Sequence, residues 1–207
     1  MDKNELILNL QRDGILKTKK IIDAFIKIDR SKFIRPGNFE YTYQDEPLHI
    51  GYGQTISQPR TVAFMLEKLQ PDIGDKVLDV GSGSGWTTAL LASIIGEAGY
   101  CLGIEILPDL VKFGVMNLKK FSLPNARIIQ AGVDFLGYPL EGPYNKILVS
   151  ASSLDIPQEL SSQLAISGVM IIPVRNSIIK IKRLDANKFT TEEYYGFSFV
   201  PLIRPKR

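Results

Sequence analysis

The 207-residue sequence contains very few of the residues that build disulfide, zinc and triad sites. Cys101 is its only cysteine, so no intrachain disulfide can form, and we expect a reducing compartment. One cysteine and one histidine, His49, are too few for a zinc site of the usual Cys/His kind. A Ser-His-Asp triad would have to use His49, and no motif places an activated serine beside it. Cys101 lies in an apolar run, so we expect it to be a packed core residue and not a nucleophile.

Long apolar runs and a strong excess of one charge are also missing. No apolar stretch approaches the about 20 residues that span a bilayer, and the N-terminus lacks a secretory signal pattern. A net charge of +3 is mildly basic and does not demand a nucleic-acid partner. With 44% hydrophobic and 23% charged residues, the composition is that of a globular protein. We expect a cytoplasmic protein, a monomer by default, with no nucleic-acid, membrane or metal partner.

The order of apolar and polar segments predicts a single α/β domain. Strands and helices alternate from residue 76 onward, which predicts a mostly parallel sheet with helices on both faces behind an N-terminal helical extension. The last two strands are expected to pair as an antiparallel edge hairpin across a loop at 185–191. Helices are predicted at 4–12 and 18–28, capped by Asn4 and Thr18, and at 59–70, 86–95, 109–120 and 157–165. Strands are predicted at 76–80, 100–106, 126–130, 146–150, 169–174, 178–184 and 194–202.

A glycine-rich turn follows the first strand of this alternating region. Residues 77–85 read VLDVGSGSG, an apolar run with an acid, Asp79, followed by Gly81, Gly83 and Gly85. A dinucleotide fingerprint, G-x-G-x-x-G, would need its third glycine at Trp86. The observed D-x-G-x-G-x-G spacing instead resembles motif I of the Rossmann-like methyltransferases that use S-adenosylmethionine.

A second acid, Glu105, stands near the end of the next apolar run, 101–106. A carboxylate at the tip of the second strand can hydrogen-bond both ribose hydroxyls of a nucleotide-like ligand. The alternative is that Asp79 and Glu105 are ordinary solvated acids at strand ends. Their joint placement beside the glycine turn favours cofactor binding.

The segment 51–59, GYGQTISQP, narrows the resemblance. Together with motif I it resembles the protein-L-isoaspartate O-methyltransferases, and the likeness runs nearly end to end, through segments 29–33, 141–147, 156–160 and 199–202. The resemblance implies transfer of a methyl group from S-adenosyl-L-methionine to the free α-carboxylate of isoaspartyl residues in damaged protein. The products would be S-adenosyl-L-homocysteine and a methyl ester that closes to a succinimide, which begins repair. It also implies three parts: helices and a substrate loop at 1–58, a cofactor-binding core at 59–174 and a β-rich edge at 175–207.

The resemblance also assigns roles to residues. Ser57 is expected to position the reacting carboxylate, which is already ionised at pH 7 and needs no general base; the alternative is that Ser57 is only a helix cap. Asp79 is expected to orient the glycine turn or to meet the cofactor's amino group through water. The remaining residues expected at the cofactor are Thr55, Ile56, Gly81, Ser82, Gly83, Gly85, Glu105, Ile106, Gly132, Val133 and Asp134. Those expected at the substrate, besides Ser57, are Tyr41, Gln54, Gln58 and Val200, with residues 33–50 as a loop over it.

The chain departs from the family pattern in two places. The family carries Gly-Asp-Gly where this chain has Gly132, Val133 and Asp134, so the acid stands one residue late. Two alternatives follow: Asp134 takes the place of the family's acid through a shift of the loop, or backbone N–H and C=O groups alone hold the adenine. The connection at 175–177 is also short. Two other hypotheses therefore stay open: a methyltransferase with a changed acceptor, and a module that binds S-adenosylmethionine without chemistry.

Overall fold

The computed structural model describes residues 1–132 and 134–204. Val133 and residues 205–207 lie outside the described part, so the expectation for Val133 has no structural counterpart. The α-helices are α1 Lys3–Arg12, α2 Lys19–Lys27, α3 Pro59–Leu69, α4 Trp86–Ile95, α5 Pro108–Leu118 and α6 Gln158–Ser161, and short 3-10 helices cover Arg30–Phe33, Phe39–Tyr41 and Pro139–Glu141. The strands are β1 Leu48–Gly51, β2 Gln54–Ile56, β3 Lys76–Val80, β4 Tyr100–Glu105, β5 Ala126–Gln130, β6 Tyr144–Val149, β7 Leu164–Val174, β8 Ser177–Arg183 and β9 Phe189–Tyr195.

The main sheet has the order β5-β4-β3-β6-β7-β8-β9, and β1 and β2 form a separate antiparallel hairpin. The pairs β5–β4, β4–β3, β3–β6 and β6–β7 are parallel, whereas β7–β8 and β8–β9 are antiparallel. This confirms the predicted fold class. The continuous apolar runs of β3 and β4 are explained by burial on both faces of the sheet.

Two hydrophobic cores lie on opposite faces of the sheet. Neighbouring residues of β3 alternate between them, because side chains along a strand point to opposite sides: Val77 packs in one core and Leu78 in the other. The first core contains residues of α1 to α5, and the second contains Leu160 of α6. Cys101 is fully buried in the first core, where burial raises the pKa of its thiol. Its predicted place in the core is confirmed.

The N-terminal caps differ from the predicted ones. Asp2, not Asn4, caps α1: its side chain accepts from the Glu5 backbone N–H, and the Glu5 carboxylate accepts from the Asp2 N–H. Thr18 stands at the N-cap of α2, but its hydroxyl donates to Glu67 and does not cap the helix. The prediction overlooked that Glu67, distant in sequence, competes for this hydroxyl.

The C-terminal third differs most from the predicted boundaries. Helix α6 ends at Ser161, because Leu164 already pairs with Tyr144 at the start of β7. Strand β9 begins at Phe189 rather than at 194, because the Asp185 carboxylate accepts from two backbone N–H groups and closes a short turn. The segment 199–202, expected as a strand, makes only an isolated bridge between Ser152 and Pro201. No helix within the described ranges is long and apolar enough to cross a membrane.

Candidate active site

A cleft with about 900 Å³ of empty space, part of it open solvent, lies at the carboxyl ends of the parallel strands. Residues 81–84 after β3, 105–107 at the end of β4 and 150–151 after β6 form its floor, and residues 54–57 and 200–203 form walls. Open α/β sheets bind their ligands at this edge, where the strand order reverses.

The three glycines of the turn have two different tasks. All have a positive φ, +77° at Gly81, +50° at Gly83 and +85° at Gly85. A Cβ on Gly81 would meet only the Ser150 Cβ, at 4.0 Å, so this part of the turn faces open cleft. A Cβ on Gly85 would instead lie 2.9 Å from the Ile128 Cδ1 and 3.2 Å from the Gly114 carbonyl.

Gly85 is therefore a packing glycine and does not line the cleft. It lets the start of α4 approach α5 and β5 closely. The expectation that it contacts the cofactor treated the three glycines alike, although the third glycine of such turns commonly serves helix packing.

Asp79 is also placed away from the cleft. Its side chain is completely buried, and Oδ2 accepts from the hydroxyls of Thr87 at 2.7 Å and Thr88 at 2.6 Å. Burial raises its pKa to about 6 despite these two bonds. It fastens the first turn of α4 to β3, which agrees with a role in orienting the glycine turn, and it is not a solvated strand-end acid.

Glu105 does line the cleft and is 7% exposed. Its two carboxylate oxygens accept from backbone N–H groups of Gly83 and Leu107, each at 3.0 Å. The carboxylate thus joins the glycine turn to the end of β4. Each oxygen keeps a further lone pair, because a carboxylate has about four acceptor positions.

Ser57 lies between β2 and α3 and lines the cleft. The N-cap of α3 is Gln58, with Pro59 in the first turn, so the interpretation of Ser57 as a helix cap is wrong. The Ser57 carbonyl accepts from the Arg30 guanidinium at 3.1 Å. Its hydroxyl makes no hydrogen bond to any residue that the structure describes, which leaves it free for a ligand.

The cleft brings together most of the other residues that the sequence predicted. It is lined by Gln54, Thr55, Ile56, Ser82, Ile106, Gly132 and Val200. Tyr41, Gln58 and Asp134 do not line it: Tyr41 is 40% exposed, Asp134 is exposed, and the Gln58 side chain donates to the Asp45 carbonyl. Through this bond Gln58 holds the loop before β1. Asp134 is not among the described residues that line the cleft.

Comparison with known protein families identifies the family of the chain. The family described as protein-L-isoaspartate(D-aspartate) O-methyltransferase matches residues 1–207. The chain belongs to this family.

Individual isoaspartate methyltransferases resemble the chain along nearly its whole length. The enzyme of Flavobacterium psychrophilum is 40% identical over 207 residues, covering 99% of this chain and 95% of the relative. That of Staphylothermus marinus is 35% identical over 211 residues, covering 98% and 94%. Both carry the name protein-L-isoaspartate O-methyltransferase.

Solved structures agree with the sequence relatives. A Plasmodium falciparum structure, described as this methyltransferase in complex with S-adenosyl-L-homocysteine, has a TM-score of 0.88 and 28% identity over 99% of both chains. A second structure, named protein-L-isoaspartate O-methyltransferase, covers 97% of this chain and 66% of its own with a TM-score of 0.86. At 23% identity, the second supports the fold alone.

The methyltransferase cleft also contains residues that the sequence did not single out. Ile50, Trp86, Phe135 and Ser150 line it. The position of Ser150 directly after β6 was a usable signal, because ligands bind beyond the carboxyl ends of parallel strands. Ile50 and Phe135 come from irregular or hairpin segments whose folding the pattern could not predict.

The polar atoms of the cleft fit a nucleoside with an amino-acid end. The buried Ser82 Oγ and Trp86 Nε1 have no partner among the described residues, and both residues line the cleft. The turn at Gly81 leaves room that a Cβ would occupy, and the acidic Glu105 lines the cleft beside the apolar Ile106 and Leu107. In the described ranges, no group of acidic, histidine or cysteine side chains could hold a metal ion.

Proposed function

We propose that the protein transfers the methyl group of S-adenosyl-L-methionine to the α-carboxylate of L-isoaspartyl residues in damaged proteins, and so begins their repair through a succinimide. One observation carries the proposal: Ser57, whose hydroxyl has no partner among the described residues, lines the same cleft as the open glycine turn. The family membership and the ligand named for the Plasmodium falciparum structure support the same donor.

The residues of the cleft suit the donor in three places. The backbone around Gly81, Ser82 and Gly83 would hold the methionine end, Glu105 the ribose hydroxyls and Ile106 the adenine. When bound, S-adenosylmethionine supplies a methyl group on a positively charged sulfur. The apolar Ile50, Ile56 and Trp86 line the cleft and exclude water from that reactive methyl group.

The acceptor needs no general base, because a carboxylate with a reference pKa near 4 is ionised at pH 7. The described lining contains no lysine, arginine or histidine that could act as one. The Ser57 hydroxyl donates a hydrogen bond to one carboxylate oxygen and holds the other toward the methyl group. The acceptor oxygen bonds to the methyl carbon while the electron pair of the broken carbon–sulfur bond stays with sulfur. No proton is gained or lost in this step.

The test is methyl transfer to a matched pair of peptides. We expect labelled S-adenosylmethionine to label an isoaspartyl peptide and to leave its normal aspartyl twin unlabelled. Equal labelling of the two peptides, or of neither, would contradict the proposal. Labelling of RNA, DNA or small carboxylates in their place would favour a changed acceptor, and failure to bind S-adenosylmethionine in calorimetry would favour a module without chemistry.

Ser57→Ala tests the assigned role of the hydroxyl. We expect kcat for the isoaspartyl peptide to fall while the Kd for S-adenosyl-L-homocysteine stays within about twofold, because Ser57 contacts the acceptor end of the cleft. An unchanged kcat would remove Ser57 from the mechanism.

We further propose that the protein acts in the cytoplasm as a monomer, without nucleic-acid or membrane partners. The single, buried cysteine supports a reducing compartment. Sedimentation of the purified protein tests the oligomeric state, and a stable dimer would contradict this part.

A further inference from the structure

A buried arginine lies directly behind the Ser57 wall of the cleft. Arg30 opens the 3-10 helix Arg30–Phe33 and is only 3% exposed. Its guanidinium donates to three backbone carbonyls, those of Thr42 at 2.5 Å, Glu46 at 2.9 Å and Ser57 at 3.1 Å. One side chain therefore ties the loop at 42–46 to the segment that carries Ser57.

The burial of this cation is unfavourable by itself. All three acceptors are neutral carbonyls, and Arg30 Nε has no partner in the part of the chain that the structure describes. Burial lowers the pKa of Arg30 to about 10, although the nearby Asp45 and Glu46 oppose that shift. Buried charges that lack a close counter-ion destabilise a fold, so stability alone is a weak reason for an arginine here.

The guanidinium also touches a second wall of the cleft. Its central carbon lies 5.4 Å from the centroid of the Trp86 ring, and Trp86 lines the cleft with its Nε1 unpartnered among the described residues. The contact orients the flat guanidinium, since cations stack favourably on aromatic faces. Arg30 thus binds the Ser57 backbone from outside the cleft, and its charge lies beside both Ser57 and Trp86.

We propose that Arg30 is a positioning residue for the acceptor: it fixes Ser57 through the Ser57 carbonyl, and its charge favours an anionic carboxylate at the Ser57 hydroxyl. This inference rests on the proposed function. Arg30 does not line the cleft, so it acts through Ser57 and does not touch the reacting atoms.

Two variants each remove a different part of the guanidinium's contribution. Arg30→Lys keeps the cation but cannot reach three carbonyls from one planar group, whereas Arg30→Gln keeps two N–H donors and loses the charge. We expect KM for the isoaspartyl peptide to rise about tenfold in either variant, with the Kd for S-adenosyl-L-homocysteine within about twofold, because both variants disturb the charge-assisted bond that fixes Ser57 on the acceptor side of the cleft. An unchanged KM in a folded variant, or an equal loss of product affinity, would overturn the proposal.

Arg60→Met is the matched control. Arg60 also fastens the loop at 42–46, through Asp45, but it does not contact Ser57. We expect a KM for the peptide within about twofold of wild type in this variant. A rise as large as that of the Arg30 variants would assign their effect to loop docking alone and overturn the role through Ser57.

A double-mutant cycle tests the route through Ser57 directly. In the Ser57→Ala background, Arg30→Lys should lower kcat/KM by less than about threefold, because the hydroxyl that Arg30 positions is gone. A full tenfold loss in that background would show that Arg30 acts independently of Ser57 and would overturn the proposal. The function and the inference fail separately: an inactive wild-type protein refutes the function, whereas an active one with additive losses refutes only the role of Arg30.

Discussion

Alanine substitution at three glycines tests the assignment of different tasks within the glycine turn. Gly74, Gly81 and Gly85 have similar left-handed φ values of +85°, +77° and +85°. They differ in what an added Cβ would meet: nothing within 4 Å at Gly74, the Ser150 Cβ at 4.0 Å at Gly81, and the Ile128 Cδ1 at 2.9 Å at Gly85. The φ angle is therefore nearly constant across the series, and the surroundings vary.

Alanine at a positive φ lowers the free energy of unfolding in all three variants. A left-handed alanine costs roughly 1–2 kcal/mol relative to glycine, so Gly74→Ala should lose about that much free energy of unfolding. For a chain of this length, each kcal/mol lowers Tm by about 2–4 °C. Gly85→Ala should lose about 1–3 kcal/mol more, because its methyl group overpacks the contact between α4, α5 and β5.

Gly81→Ala should separate stability from binding. Its unfolding free energy should match that of Gly74→Ala, because its methyl group points into open cleft. Its affinity for S-adenosyl-L-homocysteine should fall about tenfold or more, whereas Gly74→Ala should bind as wild type does. Denaturant unfolding without ligand and calorimetric titration with the product supply both numbers. Equal affinities of the Gly81 and Gly74 variants, or equal stabilities of the Gly85 and Gly74 variants, would refute the division of tasks.

Three further perturbations follow from the described contacts. Glu105→Ala should weaken calorimetric binding of S-adenosyl-L-homocysteine about tenfold or more, since it removes both the proposed ribose acceptor and the bond to Gly83; unchanged affinity would refute the ribose role. Asp79 binds its proton more tightly in the folded protein, with a pKa of about 6 against an ordinary 3.8, so its contribution makes the protein less stable as pH rises from about 4 to 6. As pH rises over that interval, the free energy of unfolding of Asp79→Asn should increase by about 3 kcal/mol relative to that of the wild type. A difference in denaturant unfolding that does not change with pH would contradict this. Tyr52→Phe removes the 2.5 Å bond from the β1–β2 turn to Asp109 and should speed product release by about two- to threefold in stopped flow, whereas Tyr195→Phe, a distant tyrosine bonded to Glu193, should not.

The sequence predicted the sheet and the glycine turn at the edge of the cleft, because both depend on local patterns. The bounds of β3, α4 and β5 were predicted to the residue, since apolar runs and the glycine turn delimit them. The separate task of Gly85 was not predictable from its position in the motif. It depends on Ile128 and Gly114, which approach Gly85 only in the folded protein.

The acceptor side was harder to predict, because side chains distant in sequence decide it. Gln58 was expected at the substrate, but its amide donates to the Asp45 carbonyl and the residue does not line the cleft. The contact of Arg30 with Ser57 joins residues 27 positions apart, and no periodicity signals it. The end of α6 and the start of β9 likewise depend on strand pairing and on the Asp185 turn rather than on local preference.

Mass spectrometry of one isoaspartyl peptide over time tests the central claim most directly. We predict a methyl ester at the isoaspartyl α-carboxylate, then a succinimide, and finally a mixture that contains normal aspartate, with S-adenosyl-L-homocysteine formed in equal amount to the ester. A stable methyl group at any other atom of the peptide, or product formation without an ester, would contradict the account.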